Sequence, residues 1–212
     1  LAPDRKGSYQ SGFFDPEILC RECDGILGKY DKKAVELTRL AGTESECIDA
    51  DSGTFTILSP KAIFHKELAL FAAAVVWRSS VSSRIDFNLG NNEGWFREMI
   101  FKKTEDVPTV CCARLYSPHP EKHSAAMTAM MYPVRIKPKG LSFAKFYANG
   151  FMFLVKTSRQ RSVSWEADSV INQGMSKGSN TLTGYLMRFE QLAELVPARN
   201  SVYIKEVLAR TT

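Results

Sequence analysis

Cys20-Arg21-Glu22-Cys23 places two thiols two residues apart. Thiolates at that spacing can bite one tetrahedral metal when the turn between them is tight. One pair supplies two ligands, and zinc takes four. Asp24 follows directly, and a carboxylate is a further oxygen donor. His119 and His123 have the His-x3-His spacing of a zinc half-site. With Cys20 and Cys23 they would complete a Cys2His2 set. Ninety-five residues lie between Cys23 and His119, so only the fold can bring these halves together. The alternative for the Cys pair is two small buried residues on one helical face. The alternative for Pro118–His123 is an exposed, proline-bounded loop. A redox dithiol needs a strand-turn-helix setting that the residues before Cys20 do not suggest. Cys47 stands alone. Cys111 and Cys112 are neighbours in a strand-like run and must point to opposite faces. His65 reads as a core or boundary histidine.

A second set of residues is basic. Arg135, Lys137, Lys139, Lys145, Lys156, Arg159, Arg161 and Lys177 lie among aromatic residues. Cations with interleaved rings suit single-stranded nucleic acid, phosphates by charge and bases by stacking. The competing reading is a solvated sheet face over an aromatic core. Charge is uneven along the chain. Residues 1–60 carry 7 basic and 11 acidic side chains, while residues 61–212 carry 21 and 12. The net +5 is therefore an acidic first segment joined to a basic remainder.

The elements that must position these groups read as α+β. Asp15-Pro16 resembles a helix start. Gly25 and Gly28 punctuate, and a helix is expected over Asp31–Leu40 with Gly42 as its stop. Thr54–Leu58 suggests a short strand. Ala62–Ser82 predicts a buried central helix, and Glu93–Lys103 an amphipathic one bearing Trp95, Phe96, Met99 and Ile100. Thr109–Tyr116 and Ala129–Ile136 predict strands, with Pro133 marking an edge or a bulge. Ala148-Asn149-Gly150 between aromatic runs predicts a hairpin over 141–156. Leu141, Phe143, Tyr147, Phe151, Phe153 and Val155 are expected to share its buried face. Residues 157–181 read as loop, Thr183–Val196 as a helix and Ser201–Ala209 as a last short helix. The expected architecture is an N-terminal knuckle-like turn with helices, a small antiparallel sheet, then C-terminal helices. Residues 1–60 form the knuckle-like segment and 61–212 an α+β unit, with one continuous domain as the alternative.

Composition is that of an ordinary globular chain, 44% apolar and 24% charged among 212 residues. The longest apolar run, Leu68–Trp77, is ten residues, too short to span a bilayer. No membrane partner is expected. No signal peptide is visible, and five cysteines without a disulfide-like spread point to a cytoplasmic setting. The chain begins at Leu1, which leads us to expect a processed or trimmed product. No phosphate-binding glycine loop, nucleophile elbow or His-Glu-x-x-His helix is present.

The stretch Phe14–Asp31, with Ile18-Leu19-Cys20, Cys23-Asp24 and Tyr30-Asp31 in that order, resembles the second zinc knuckle of HNH-type nucleases in bacterial and phage proteins. Phe71–Arg78, ending Val75-Val76-Trp77-Arg78, resembles a helix of the same group. The resemblance covers residues 10–40 and, more loosely, 64–82. It implies a bound zinc, contact with nucleic acid and a role in phage–host conflict or bacterial defence. The group carries an upstream Cys-x2-Cys and a histidine that serves as general base. No cysteine or histidine precedes Cys20 here. Asp24 stands where the group has a His or Asn ligand. We therefore expect no nuclease activity from these 212 residues. A protein–protein interaction domain, and a nuclease whose base lies upstream of Leu1, are the alternatives.

Overall fold

A computed structural model describes residues 18–43, 45–61, 63–83, 85–102, 106–117, 130–137, 140–159 and 180–188. Among the described residues, three α-helices and a seven-stranded sheet make the chain α+β.

Helix α1 runs over Arg21–Leu40, ten residues longer at its start than the expected Asp31–Leu40. Leu27, Ala34 and Leu37 are buried at helical spacing and Tyr30 packs beside them. That stripe holds Gly25 and Gly28 in the helix although each is a poor helix former. Glu22 and Asp24 sit in the first turn, where acidic groups suit the helix dipole. Gly42, at φ +79°, follows the last turn as expected.

Helix α2, His65–Val81, is buried nearly all round. Its run Ala72-Ala73-Ala74 is fully buried, and small residues there let neighbouring elements approach closely. Helix α3, Glu93–Phe101, buries Phe96, Met99 and Ile100 against it. Trp77 of α2 meets Phe101 edge-on at 5.2 Å.

The strands are β1 (Glu46–Asp49), β2 (Thr54–Leu58), β3 (Val110–Tyr116), β4 (Met131–Ile136), β5 (Phe143–Ala148), β6 (Phe151–Lys156) and β7 (Thr181–Arg188). Their order across the sheet is β1-β2-β7-β3-β6-β5-β4. All neighbours are antiparallel except β3 and β7. The sheet is thus larger than the small antiparallel one expected, and mixed. It also joins strands from before and after position 60.

The largest departure is β7. Residues from Thr183 were expected to be helical, yet Thr181–Arg188 is a strand between β2 and β3. Gly184 makes that slot fit. A methyl group there would lie 2.6 Å from the Phe55 ring and 2.8 Å from the Cys112 carbonyl oxygen. The remainder of that expected helix, and Ser201–Ala209, lie outside the described residues.

The hairpin forms as expected. Asn149 and Gly150 adopt φ +47° and +79°, the left-handed conformations of a two-residue turn. Phe146 of β5 stacks on Phe153 of β6 at 5.0 Å, and Phe71 of α2 meets both edge-on. The expected single buried face divides in two. Phe151, Phe153 and Val155 join the helix-packed core with Ala144 and Phe146. Phe143 and Tyr147 alternate to the opposite face, which is also buried there. β4 is an edge strand with an irregular register between Met131 and Val134, as Pro133 implied.

Candidate metal-binding thiol pair

Cys20 is the N-cap of α1, with extended backbone at ψ 161°. Its Sγ accepts the Cys23 backbone N–H at 3.3 Å. A capping oxygen from Ser or Asp commonly fills this role, so a sulfur there satisfies one of the helix's four open donors. The turn Cys20–Cys23 is therefore tight, and the Cys23 thiol lies within hydrogen-bonding reach of Cys20. Cys20 is exposed and Cys23 half-buried. The expectation's alternative of two buried packing residues does not describe Cys20.

The two thiols are unequal. The Cys23 N–H and the Cys23 thiol both donate to Cys20 and hold it below the usual thiol range. Cys23 is pushed up, first because it donates to Cys20 and then by partial burial. The Arg97 guanidinium, brought from α3, pulls Cys23 weakly the other way. The helix dipole at this end also favours a thiolate. Chemically the pair is a bidentate soft donor set with a cation nearby.

Asp24 is exposed in the first turn, four residues from Cys20. Among the described residues no three His, Cys, Asp or Glu side chains converge as a metal site. His119 and His123 lie outside the described residues. Cys47 is exposed on edge strand β1, and Cys111 and Cys112 are buried on opposite faces of β3. The donor chemistry of Cys20 and Cys23 fits zinc, and the described residues supply half of a tetrahedral set.

The basic residues do not assemble into one strip. Arg135 pairs in register with Ala144 on the helix-packed face and donates Nη2 to the Asn88 carbonyl. Lys145 and Lys156 project from the other face, opposite Leu154 and Phe143. Lys156 is 5% exposed, so it belongs to the interior and not to a solvent-facing surface. Lys137 is exposed beyond β4. Arg159 is exposed, with its guanidinium 5.5 Å from the centre of the Trp95 ring. Lys139, Arg161 and Lys177 lie outside the described residues.

Two arrangements escaped sequence reasoning. Arg114 of β3 donates Nε to Glu46 of β1 at 3.0 Å, and their side chains are 15% and 2% exposed. This buried ion pair links strands that are not neighbours in the sheet. No local spacing joins positions 46 and 114. The other is a groove of about 410 Å³ between the second half of α1 and Ser59–Leu68, lined partly by Lys33, Arg39, Lys61 and Phe64. Phe64 is 42% exposed, and the Lys33 ammonium lies 3.7 Å from its ring centre. Lys61 lies near Phe64 in sequence, but Lys33 and Arg39 come from α1, roughly thirty positions away, so the cluster was hidden.

Among the described residues no helix is long and apolar enough to cross a membrane. Comparison with protein-family models, curated proteins and solved structures finds no match to this chain.

Proposed function

We propose that the chain is a non-catalytic, zinc-knuckle-type protein that works with nucleic acid, related to the HNH-like proteins of bacteria and phages. Cys20 and Cys23 are two of its metal ligands. The single observation behind this is the N-capped turn, in which the Cys23 N–H meets Cys20 Sγ and the Cys23 thiol also reaches Cys20. His119 and His123 are the in-chain candidates for the other two. Zinc bound there would supply structural cross-linking and no chemical step.

Asp31 and Arg78, one from each of the two resembling stretches, meet side chain to side chain. The basic charge of residues 61–212 supports the nucleic-acid part.

Elemental analysis of protein purified without added metal tests the metal. The expected result is one zinc per chain, or per pair of chains, lost in Cys20→Ser/Cys23→Ser. Metal-free protein whose melting temperature ignores added zinc would overturn the metal part.

A further inference from the structure

We infer that the groove between α1 and Ser59–Leu68 is a binding site for a short single-stranded nucleic-acid segment, a base stacking at Phe64 with phosphates against Arg39 and Lys61. This deepens the proposed function and rests on its nucleic-acid part, not on the metal.

The groove has an apolar floor of Leu37, Leu40, Ile63 and Leu68. Three cations stand around it, Lys33, Arg39 and Lys61, against one carboxylate, Glu36. Glu36 is already engaged, because Lys33 Nζ donates to its Oε2 at 2.8 Å. The Arg39 and Lys61 side chains make no hydrogen bond or ion pair among the described residues. Lys61, and Arg39 at no more than electrostatic reach of the already engaged Glu36, therefore leave an excess of positive charge beside an apolar surface. A site of this make-up recognises an anion with a flat apolar body.

Phe64 narrows the choice. A large ring that is 42% exposed at a groove mouth is not serving the core. Rings paired with cations form the stacking platforms of single-strand binding sites. The volume, about 410 Å³, falls in the range of ordinary small-ligand clefts and suits one or two nucleotides. Duplex DNA presents no free base face, so a single strand is the better occupant.

Fluorescence anisotropy with a labelled deoxythymidine decamer and a uridine decamer, over a salt series, tests the site. Wild type should bind at least one of them, with affinity falling as salt rises. Phe64→Ala should weaken binding by about tenfold. Arg39→Gln/Lys61→Gln should weaken it and lower the salt slope by about one to two. All three positions are at the surface, and melting curves check that each variant is folded. The Cys20→Ser/Cys23→Ser variant, kept folded, separates the metal from the groove. Wild-type binding that Phe64→Ala and the charge variant leave unchanged would overturn the groove and leave the nucleic-acid reading standing. Failure of wild type to bind either strand at low salt would overturn both. Uptake of a fluorescent fatty acid without binding of either strand would assign the groove to an acyl chain instead.

Discussion

The Arg78 guanidinium grips both carboxylate oxygens of Asp31, Nη1 to Oδ2 at 3.0 Å and Nη2 to Oδ1 at 2.8 Å. The two residues are forty-seven positions apart and tie α1 to α2. One residue earlier in each helix, Tyr30 donates its hydroxyl to the Ile100 carbonyl at 3.1 Å, and Trp77 packs on Phe101. Tyr30-Asp31 and Trp77-Arg78 thus form one joint at which all three helices meet. Both partners of the ion pair are partly exposed, with side chains 25% and 39% accessible, so solvent screens the attraction. We expect Asp31→Asn and Arg78→Met each to destabilise the fold. A double-mutant cycle read by urea unfolding should give a coupling of about 1 kcal/mol. Additive losses would show that the fork contributes nothing beyond each residue's own packing.

Gly25 and Gly28 sit inside α1 with open space where a side chain would project. Neither has a positive φ. Alanine should fit both without strain. Each replacement should stabilise the chain by about 0.5–1 kcal/mol, and the pair roughly additively. The check is the urea midpoint of the single and double variants. A loss of stability would mean that these positions face a contact that the helix surface does not reveal.

Gly184 should behave in the opposite way. A methyl group there meets backbone at the Cys112 carbonyl, which cannot swing aside as a side chain can. Gly184→Ala should cost about 1–3 kcal/mol. Pairing it with Phe55→Leu should recover part of that cost, because the ring is the nearer obstacle. Thermal melts of the single and double variants decide it.

Cys112 is wholly buried, and burial pushes its thiol well above the usual 9.0. In the unfolded chain it ionises near 9.0, whereas in the fold it stays neutral. Its contribution is therefore complete below pH 9.0 and is lost as pH rises toward its folded value. Relative to Cys112→Ala, wild type should lose stability above that pH at up to about 1.4 kcal/mol per pH unit. A parallel decline in both proteins would exclude Cys112 as the source.

Thiol reactivity should divide along the same lines. In chelator-treated protein, iodoacetamide should label exposed Cys20 and Cys47 first, and Cys20 faster because its thiolate is favoured at the helix end. Cys111 and Cys112 should react only on unfolding. Peptide mass spectrometry over a time course reads the order. Early labelling of Cys112 would contradict the packing of β3.

Much of the fold was legible because it depends on local pattern. α2 shows as the continuous apolar run Leu68–Trp77 and α3 as an apolar face at helical spacing. The hairpin at Asn149-Gly150 follows from two residues that tolerate positive φ, and the edge position of β4 from one that lacks an N–H. Local signals also misled. Gly25 and Gly28 suggested a break, but the stripe from Leu27 to Leu37 is buried against partners distant in sequence and carries the helix through them. The helical spacing of Leu186 with residues after it obscured, in Thr181–Arg188, an alternation that β2 and β3 turn into a strand.

The sequence by itself determined that the chain is α+β, that two thiols stand two residues apart and that basic charge follows an acidic start. Those properties follow from residue type and spacing alone. Only the tertiary structure decided that Cys20 caps a helix, that Arg97 stands near Cys23 and that Lys156 is interior. It alone placed Phe64 beside Lys33 at one groove with Arg39 and Lys61. The cap is a bond within one turn, formed because the stripe from Leu27 to Leu37 holds α1 in place; each of the others is a contact between residues far apart in the chain or a choice of sheet face. Such contacts are set by how buried surfaces pack together, which no local spacing encodes.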